Sequence, residues 1–210
     1  MEQNPPDRKS HWEQVYSTRK PNEVGWYQAY PDVSLRLIAA TGTGTQSAII
    51  DVGGGASYLV DELVALGYDN LTVLDISAAA IEAVKSRLGT NAETVQWLVA
   101  DITRFVPPQQ YEIWHDRAVF HFLTEAADRR CYLEAANAAL PPGGHLIMAT
   151  FALDGPARCS GLDVVRYSPE SLQQEVGEGF ELAESFGGTH VTPSMGRQSY
   201  TFCRFVRKGK

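Results

Sequence analysis

The chain is poor in cysteine, in net positive charge and in long apolar runs, and each shortage removes a class of protein. Its three cysteines, Cys131, Cys159 and Cys203, are odd in number, far apart and never in a Cys-x-x-Cys pair. Neither a disulfide framework nor a zinc site is indicated, and no metal is expected. Eighteen lysines and arginines against 25 acids give a formal net charge of -7. A general nucleic-acid partner is therefore not expected, because it would require a basic face to neutralise phosphates. Arg204, Arg207, Lys208 and Lys210 form a local basic group that reads as a solvated tail. No stretch approaches the roughly 20 apolar residues of a membrane span, and the polar start MEQNPPDRKSHWEQ has no apolar core for a signal peptide. The expected setting is cytoplasmic, with no membrane partner.

What is present suits one sizeable core. At 210 residues, with 44% hydrophobic and 20% charged residues, residues 1–210 read as a single soluble domain. Strand-like and helix-like segments alternate along it. Residues 1–46 form an N-terminal helical cap, with Ser10 as a cap residue and a second helix from Pro31 to Gly42. SAIIDV reads as a buried strand leading through glycines into the helix SYLVDELVALG. LTVLDI, VQWLVAD, YEIWHDR and HLIMATFAL are further strands separated by helices, which completes a core over residues 47–151. Residues 152–168 form a loop longer than a connection requires, placed to act as a lid. Residues 169–210 hold a capped helix and two strands in an antiparallel hairpin. The expectation is an α/β fold, a mostly parallel sheet with helices on both faces.

Ligands of such sheets sit beyond the carboxyl ends of the strands, and four aspartates fall there: Asp51, Asp75, Asp101 and Asp116. Asp75 lies 20 residues after Gly55, a spacing that suits an acid accepting hydrogen bonds from ribose hydroxyls. The alternative, a helix cap, is better served by Ser77. Asp101 either accepts from the exocyclic amine of an adenine or is a turn residue. The loop DVGGGASY has the first two glycines of a dinucleotide fingerprint, Gly53 and Gly55, but Tyr58 stands where a third is wanted for close helix packing. A G-x-x-x-x-G-K phosphate loop is also missing. Acids around a glycine turn with no pyrophosphate to hold suit S-adenosylmethionine.

The segments IIDVGGGAS, VLDIS, VAD and ALPPGGHLIMATF together resemble the successive signatures of class I S-adenosylmethionine-dependent methyltransferases, over about Ser47 to Phe151. The resemblance implies a Rossmann-like sheet of seven strands with an antiparallel final strand. It also implies that Asp51, Gly53, Gly54 and Gly55 pass close to the methionine part of the cofactor, that Asp75 with Ile76 meets the ribose, and that Asp101 with Ile102 meets the adenine. Ala56-Ser57 departs from the pattern, since many members carry a further glycine there. S-adenosylhomocysteine would be the product.

The acceptor side is less legible. WHDRAVFHFL groups Asp116, Arg117, Phe120 and His121 at the fourth strand end. Asp116 is a candidate for contact with the cofactor or with a substrate amine. Arg117 either pairs with a substrate anion or makes a salt bridge to a helix. Phe120 and His121 are candidate acceptor contacts, with His121 the best general base or else a packed wall residue. Cys159 and Arg166 are the reactive or charged members of the lid, with Cys159 lacking a defined base. Trp12, Tyr16, Trp26 and Tyr27 either stack over a sulfonium, Trp26 foremost, or pack as a plain cap.

The same stretches are similar to small-molecule methyltransferases acting on thiols and related nucleophiles, and to lysine methyltransferases acting on proteins. Against the lysine pattern Asp-Lys-Gly-Thr-Phe-Asp, Asp116 and Phe120 match and the second acid is His121. The expected function is methyl transfer from S-adenosylmethionine to a small-molecule acceptor, a thiol or other soft nucleophile. The alternatives are a protein-lysine N-methyltransferase, a nicotinamide-dependent oxidoreductase, which Tyr58 disfavours, and a non-catalytic cofactor-binding protein.

Overall fold

The computed structural model describes residues 7–209, so the first six residues of the polar start and Lys210 of the basic tail lie outside it. Helices α1 (Arg8–Thr18) and α2 (Asp32–Ala39) precede β1 (Ile49–Val52), α3 (Leu59–Ala65), β2 (Leu71–Asp75), α4 (Ala78–Leu88), β3 (Val95–Val99) and β4 (Ile113–Arg117). Then come α5 (Ala126–Ala139), β5 (His145–Phe151), the two-residue strands β6 (Arg158–Cys159) and β7 (Leu162–Asp163), α6 (Pro169–Val176), β8 (Phe180–Val191) and β9 (Arg197–Arg207). Seven strands form one sheet in the order β3-β2-β1-β4-β5-β9-β8. The first five are parallel, β9 runs antiparallel to β5, and β8 runs antiparallel to β9. The strand order reverses between β1 and β4, where a crevice opens above the carboxyl ends.

Local chemistry sets the elements. β1 and β2 are buried along their whole length, as strands covered on both faces must be. Ser77 caps α4 by accepting the Ala80 N–H, and Ser168 caps α6 with Pro169 in its first turn. Ser10 is not a cap: it lies inside α1, which starts after Asp7.

Period-two alternation sends the strand residues to two cores. Ile49, Val73, Ile113 and Ile147 pack with Leu37 and Ile38 of α2, Leu59 and Leu63 of α3 and Val84 of α4. Ile50, Leu74, Trp114, Leu146 and Met148 pack against Tyr132 and Ala136 of α5 and Leu172 of α6. Each such aliphatic side chain contributes about 1.5–3 kcal/mol when fully buried. The same alternation places Asp51 and His115, paired in register, on the α2 face, and Asp116 on the α5 face.

The 152–168 segment is more tied down than a loop. It folds into the β6–β7 hairpin, and its return is held by the Val165 N–H on the His121 carbonyl (2.8 Å) and the Tyr167 N–H on the Phe151 carbonyl (2.9 Å).

Candidate active site

Two hollows, a larger and a smaller, adjoin above the strand ends, and Tyr16, Trp26, Gly53 and Arg117 line both. The larger is lined by the apolar Val52, Leu74, Ile76 and Ile102, by the acids Asp75 and Asp101, and by Trp12, Phe122, Leu123 and Cys159. The smaller is lined by Asp51, Gly54, His115, Ser34 and Tyr58.

The glycine turn makes the hollows possible. Gly53 has φ +67, a backbone that side chains rarely adopt, and a Cβ there would collide with the Val119 Cγ2 atom. A Cβ on Gly55 would meet the Tyr16 hydroxyl at 2.7 Å and the Asp75 Oδ2 atom at 3.0 Å. Gly55 thus keeps open the gap between the roof and the acid, although it does not itself line either hollow.

Asp75 ends β2 and is 5% exposed. Its Oδ1 accepts the Ser77 N–H at 2.8 Å. Burial pushes its carboxyl up to about 7, against the pull of the Ser77, Gly55 and Ile76 N–H groups and with a further push from the Asp51 charge. Asp101 uses one oxygen, Oδ1, for the Thr103 N–H (2.9 Å) and hydroxyl (2.8 Å). Its other oxygen has no partner among the described residues.

Asp51 does not stand free. Its Oδ1 is 2.7 Å from His115 Nδ1, and His115 Nε2 is 2.9 Å from the Ser34 hydroxyl on α2. All three residues are buried. The sequence reading missed His115 and Ser34. The missed signal was the alternation that puts His115, not Asp116, on the Asp51 face.

Four expected site residues are corrected on this geometry. Asp116 is fully buried on the α5 side, where its carboxylate accepts from the Tyr132 hydroxyl (2.7 Å) and the Val119 (2.9 Å) and Phe120 (3.1 Å) N–H groups. Burial raises it to about 6, but it faces neither hollow. Phe120 is a core residue, its ring edge-on to Tyr132. His121 is fully buried too: Nδ1 accepts the Phe151 N–H at 3.2 Å, so its proton sits on Nε2, which has no partner. Burial, then the Arg117 charge, lowers His121 to about 3, so it stays neutral and holds a proton only weakly. Arg166 is exposed and donates to the Gly155 carbonyl, away from both hollows.

Arg117, Trp26, Ile76, Ile102 and Cys159 are at the cleft as expected. Burial pushes the Cys159 thiol up to about 11, so it is a neutral wall group. Trp12, Tyr16 and Trp26 form an aromatic roof with centroids 5.5 to 6.2 Å apart, Trp26 standing edge-to-face to the other two rings. Helix α1 holds that roof down. Glu13 accepts from the Ser77 hydroxyl (2.7 Å) and the Ala79 N–H (3.2 Å) at the start of α4, where a negative charge is favoured, and Arg8 pairs with Asp128. Among the described residues, no group of three or more His, Cys, Asp or Glu could hold a metal ion, and no helix is long and apolar enough to cross a membrane.

A sheet of this order, with acids at its strand ends and a cleft roofed by aromatic rings, defines a class I methyltransferase fold. Comparison with known proteins agrees: a family model described as a methyltransferase domain matches residues 50–146. Residues 50–146 thus match a methyltransferase domain, on the fold shared by class I S-adenosylmethionine-dependent methyltransferases, and S-adenosylmethionine is the cofactor of that class. It is 27% identical over 124 residues to nodulation protein S of Sinorhizobium fredii, covering 59% of this chain and 55% of that one. It spans about half the length of the curated relatives it matches. Two solved structures share the fold. The N-methyltransferase NodS from Bradyrhizobium japonicum in complex with S-adenosylhomocysteine superposes with a TM-score of 0.70 at 18% identity, covering 95% of this chain and all of the other. A structure described as the conversion of a disulfide bond into a thioacetal group during echinomycin biosynthesis superposes at 0.79 and 19% identity, covering 96% and 92%. The nicotinamide alternative is set aside by these matches.

Proposed function

We propose that the protein moves the methyl group of S-adenosylmethionine to a small-molecule acceptor with a soft nucleophile, a thiol first. When bound, the cofactor supplies an electrophilic methyl on a sulfonium and leaves as S-adenosylhomocysteine. In this reading Asp75 accepts from the ribose hydroxyls, and the apolar floor of Ile76 and Ile102 takes the adenine with Asp101 at its amine edge. Gly53 and Gly54 let the backbone approach the amino-acid end, where Asp51, oriented by His115, meets the ammonium. The roof of Trp26 and Tyr16 excludes water and turns ring faces and edges on the sulfonium region.

The observation that carries the acceptor class is the wall of the larger hollow. Trp12, Phe122, Leu123 and Cys159 offer no general base: the titratable groups that line the hollows, Asp75, Asp101, Asp51 and His115, are those assigned above to the cofactor, His121 is turned inward and Asp116 lies on the other face of the sheet. A thiol loses its proton near neutral pH and needs little help, whereas an ammonium needs a proton acceptor. The sulfur chemistry in the description of the echinomycin structure supports this reading. The relatives named N-methyltransferases favour a second one, transfer to an amine that arrives unprotonated.

Labelled S-adenosylmethionine offered with thiols, amines, carboxylates and a cell lysate tests the choice. Label should appear in thioether products. Turnover of amines with none of thiols rejects the sulfur reading, and label retained in protein bands favours the lysine alternative. Cofactor binding without turnover of any acceptor favours the non-catalytic one.

A further inference from the structure

A cation without a counter-ion sits at the seam of the two hollows. Arg117 lines both, and among the described residues no carboxylate lies within ion-pair distance of it, whereas Arg8, the other cation of the cleft, is paired with Asp128. Arg117 Nη1 donates to the Trp26 carbonyl at 2.9 Å. Its Nε is buried and unpartnered. The groups that feel its charge are Cys159, Tyr200, His190 and His121, and every one of them is neutral at pH 7. Tyr200, whose ring centroid is 5.3 Å from the guanidinium carbon, has a buried hydroxyl that is also unpartnered.

Keeping a partly buried charge without a counter-charge is costly. A guanidinium has only donors, so the ligand that relieves it must be an acceptor, and a planar carboxylate matches its fork best. The neighbours that feel the charge lie on the β6–β7 hairpin, on β8 and β9 and at the turn after β4, whereas Asp75 ends β2 and Asp101 follows β3 in the other half of the sheet. That is the side left for the acceptor once the cofactor lies over the acids.

We propose that Arg117 is an anion subsite of the acceptor pocket and that the methyl acceptor carries a carboxylate close to its nucleophile. The inference rests on the small-molecule reading above. The cofactor's own carboxylate is the competing occupant. The guanidinium carbon lies 5.3 Å from the ring centroid of Tyr200 on β9, on the half of the sheet away from β2 and β3, which places its charge toward the acceptor.

The test uses the full chain saturated with S-adenosylhomocysteine and a matched pair of probes, thiosalicylate and 2-mercaptobenzamide, which share the ring and thiol and carry beside it an anionic carboxylate or a neutral amide. By calorimetry the carboxylate should bind at least about tenfold more tightly, the scale of a hydrogen bond to a charged group. That preference should weaken with salt, shrink to about twofold or less in Arg117→Gln and survive in part in Arg117→Lys. Equal binding of the two probes by the wild type, or binding of neither, overturns the proposal. So does an Arg117→Gln protein that keeps the preference but binds S-adenosylhomocysteine tenfold more weakly. If Arg117→Gln does not fold, the wild-type ratio and its salt dependence decide. Turnover separates the two readings. Carboxylate-dependent binding without methylation of either thiol removes the sulfur acceptor and keeps the subsite. Methylation of both at equal KM does the reverse.

Discussion

Replacing Asp75 by asparagine separates two effects that the wild-type carboxylate combines. The side chain is 5% exposed, and burial lifts its carboxyl from an ordinary 3.8 to about 7. At about 1.4 kcal/mol per pH unit, the ionised form is penalised by about 4 kcal/mol in the unliganded protein, an upper figure because the backbone N–H groups around it relax with it. A raised carboxyl holds its proton more tightly folded than unfolded. Its contribution to stability is therefore whole below about pH 4 and lost as the pH rises through about 7. Asp75→Asn removes that loss, and its amide oxygen can still accept the Ser77 N–H. The unliganded variant should therefore melt higher than wild type at pH 8 and match it more closely near pH 4. Cofactor affinity should move the other way. An amide cannot accept from both ribose hydroxyls as an anion does, a deficit of about 1.5–3 kcal/mol, or roughly 10- to 150-fold in Kd. Wild-type affinity for S-adenosylhomocysteine should tighten from pH 6 to pH 8 as Asp75 ionises, and the variant's should stay flat. Calorimetry and thermal melting across pH read both. An unchanged Kd at pH 8 refutes the ribose role, and an unraised melting temperature refutes the buried-acid reasoning.

Three further substitutions probe the scaffold of the cleft. Gly53→Ala places a methyl against the Val119 side chain at a positive φ; it should cost about 1–3 kcal/mol in stability and weaken cofactor binding, with partial rescue by Val119→Ala in the same melting and binding assays. Tyr132→Phe removes a 2.7 Å hydrogen bond from buried Asp116 and should destabilise by about 1.5–3 kcal/mol. Because Asp116 is raised to about 6, the loss should be larger at pH 8, where it is ionised, than at pH 5; equal losses in denaturant titrations count against the assignment. His121→Gln should leave the shape of the kcat/KM profile between pH 6 and 8 unchanged, since a histidine at about 3 carries no proton change there. A limb of the profile that disappears with this substitution restores His121 as a base.

Much of the architecture was legible because it depends on short-range rules. Apolar runs of strand length alternating with capped helices left few alternatives to a parallel sheet, and Tyr58 was rightly read as a residue no dinucleotide loop wants. In the structure it sits before α3 with the Arg87 guanidinium carbon 4.0 Å over its ring. Acids at strand ends pointed to the crevice, and Asp75, Asp101 and Asp51 are all there. The same rule failed for Asp116 for a definite reason: a strand end names a height in the sheet but not a face. One step of period-two alternation turned Asp116 to Tyr132 and brought His115 to Asp51 instead. His121 and Phe120 were misplaced because the residues after β4 fold back in a tight turn that buries both.

The sequence by itself determined the element order, the glycine turn and the row of acids, all of which follow from spacing and from local backbone preference. Only the tertiary structure decided which side chains meet. It drew Glu13 of α1 onto the start of α4, 64 residues away, and Ser34 of α2 onto His115. It also left Arg117 between two hollows with no acid among the described residues to neutralise it. Such pairings depend on how separate elements pack across a sheet, and no local pattern encodes the distance between them.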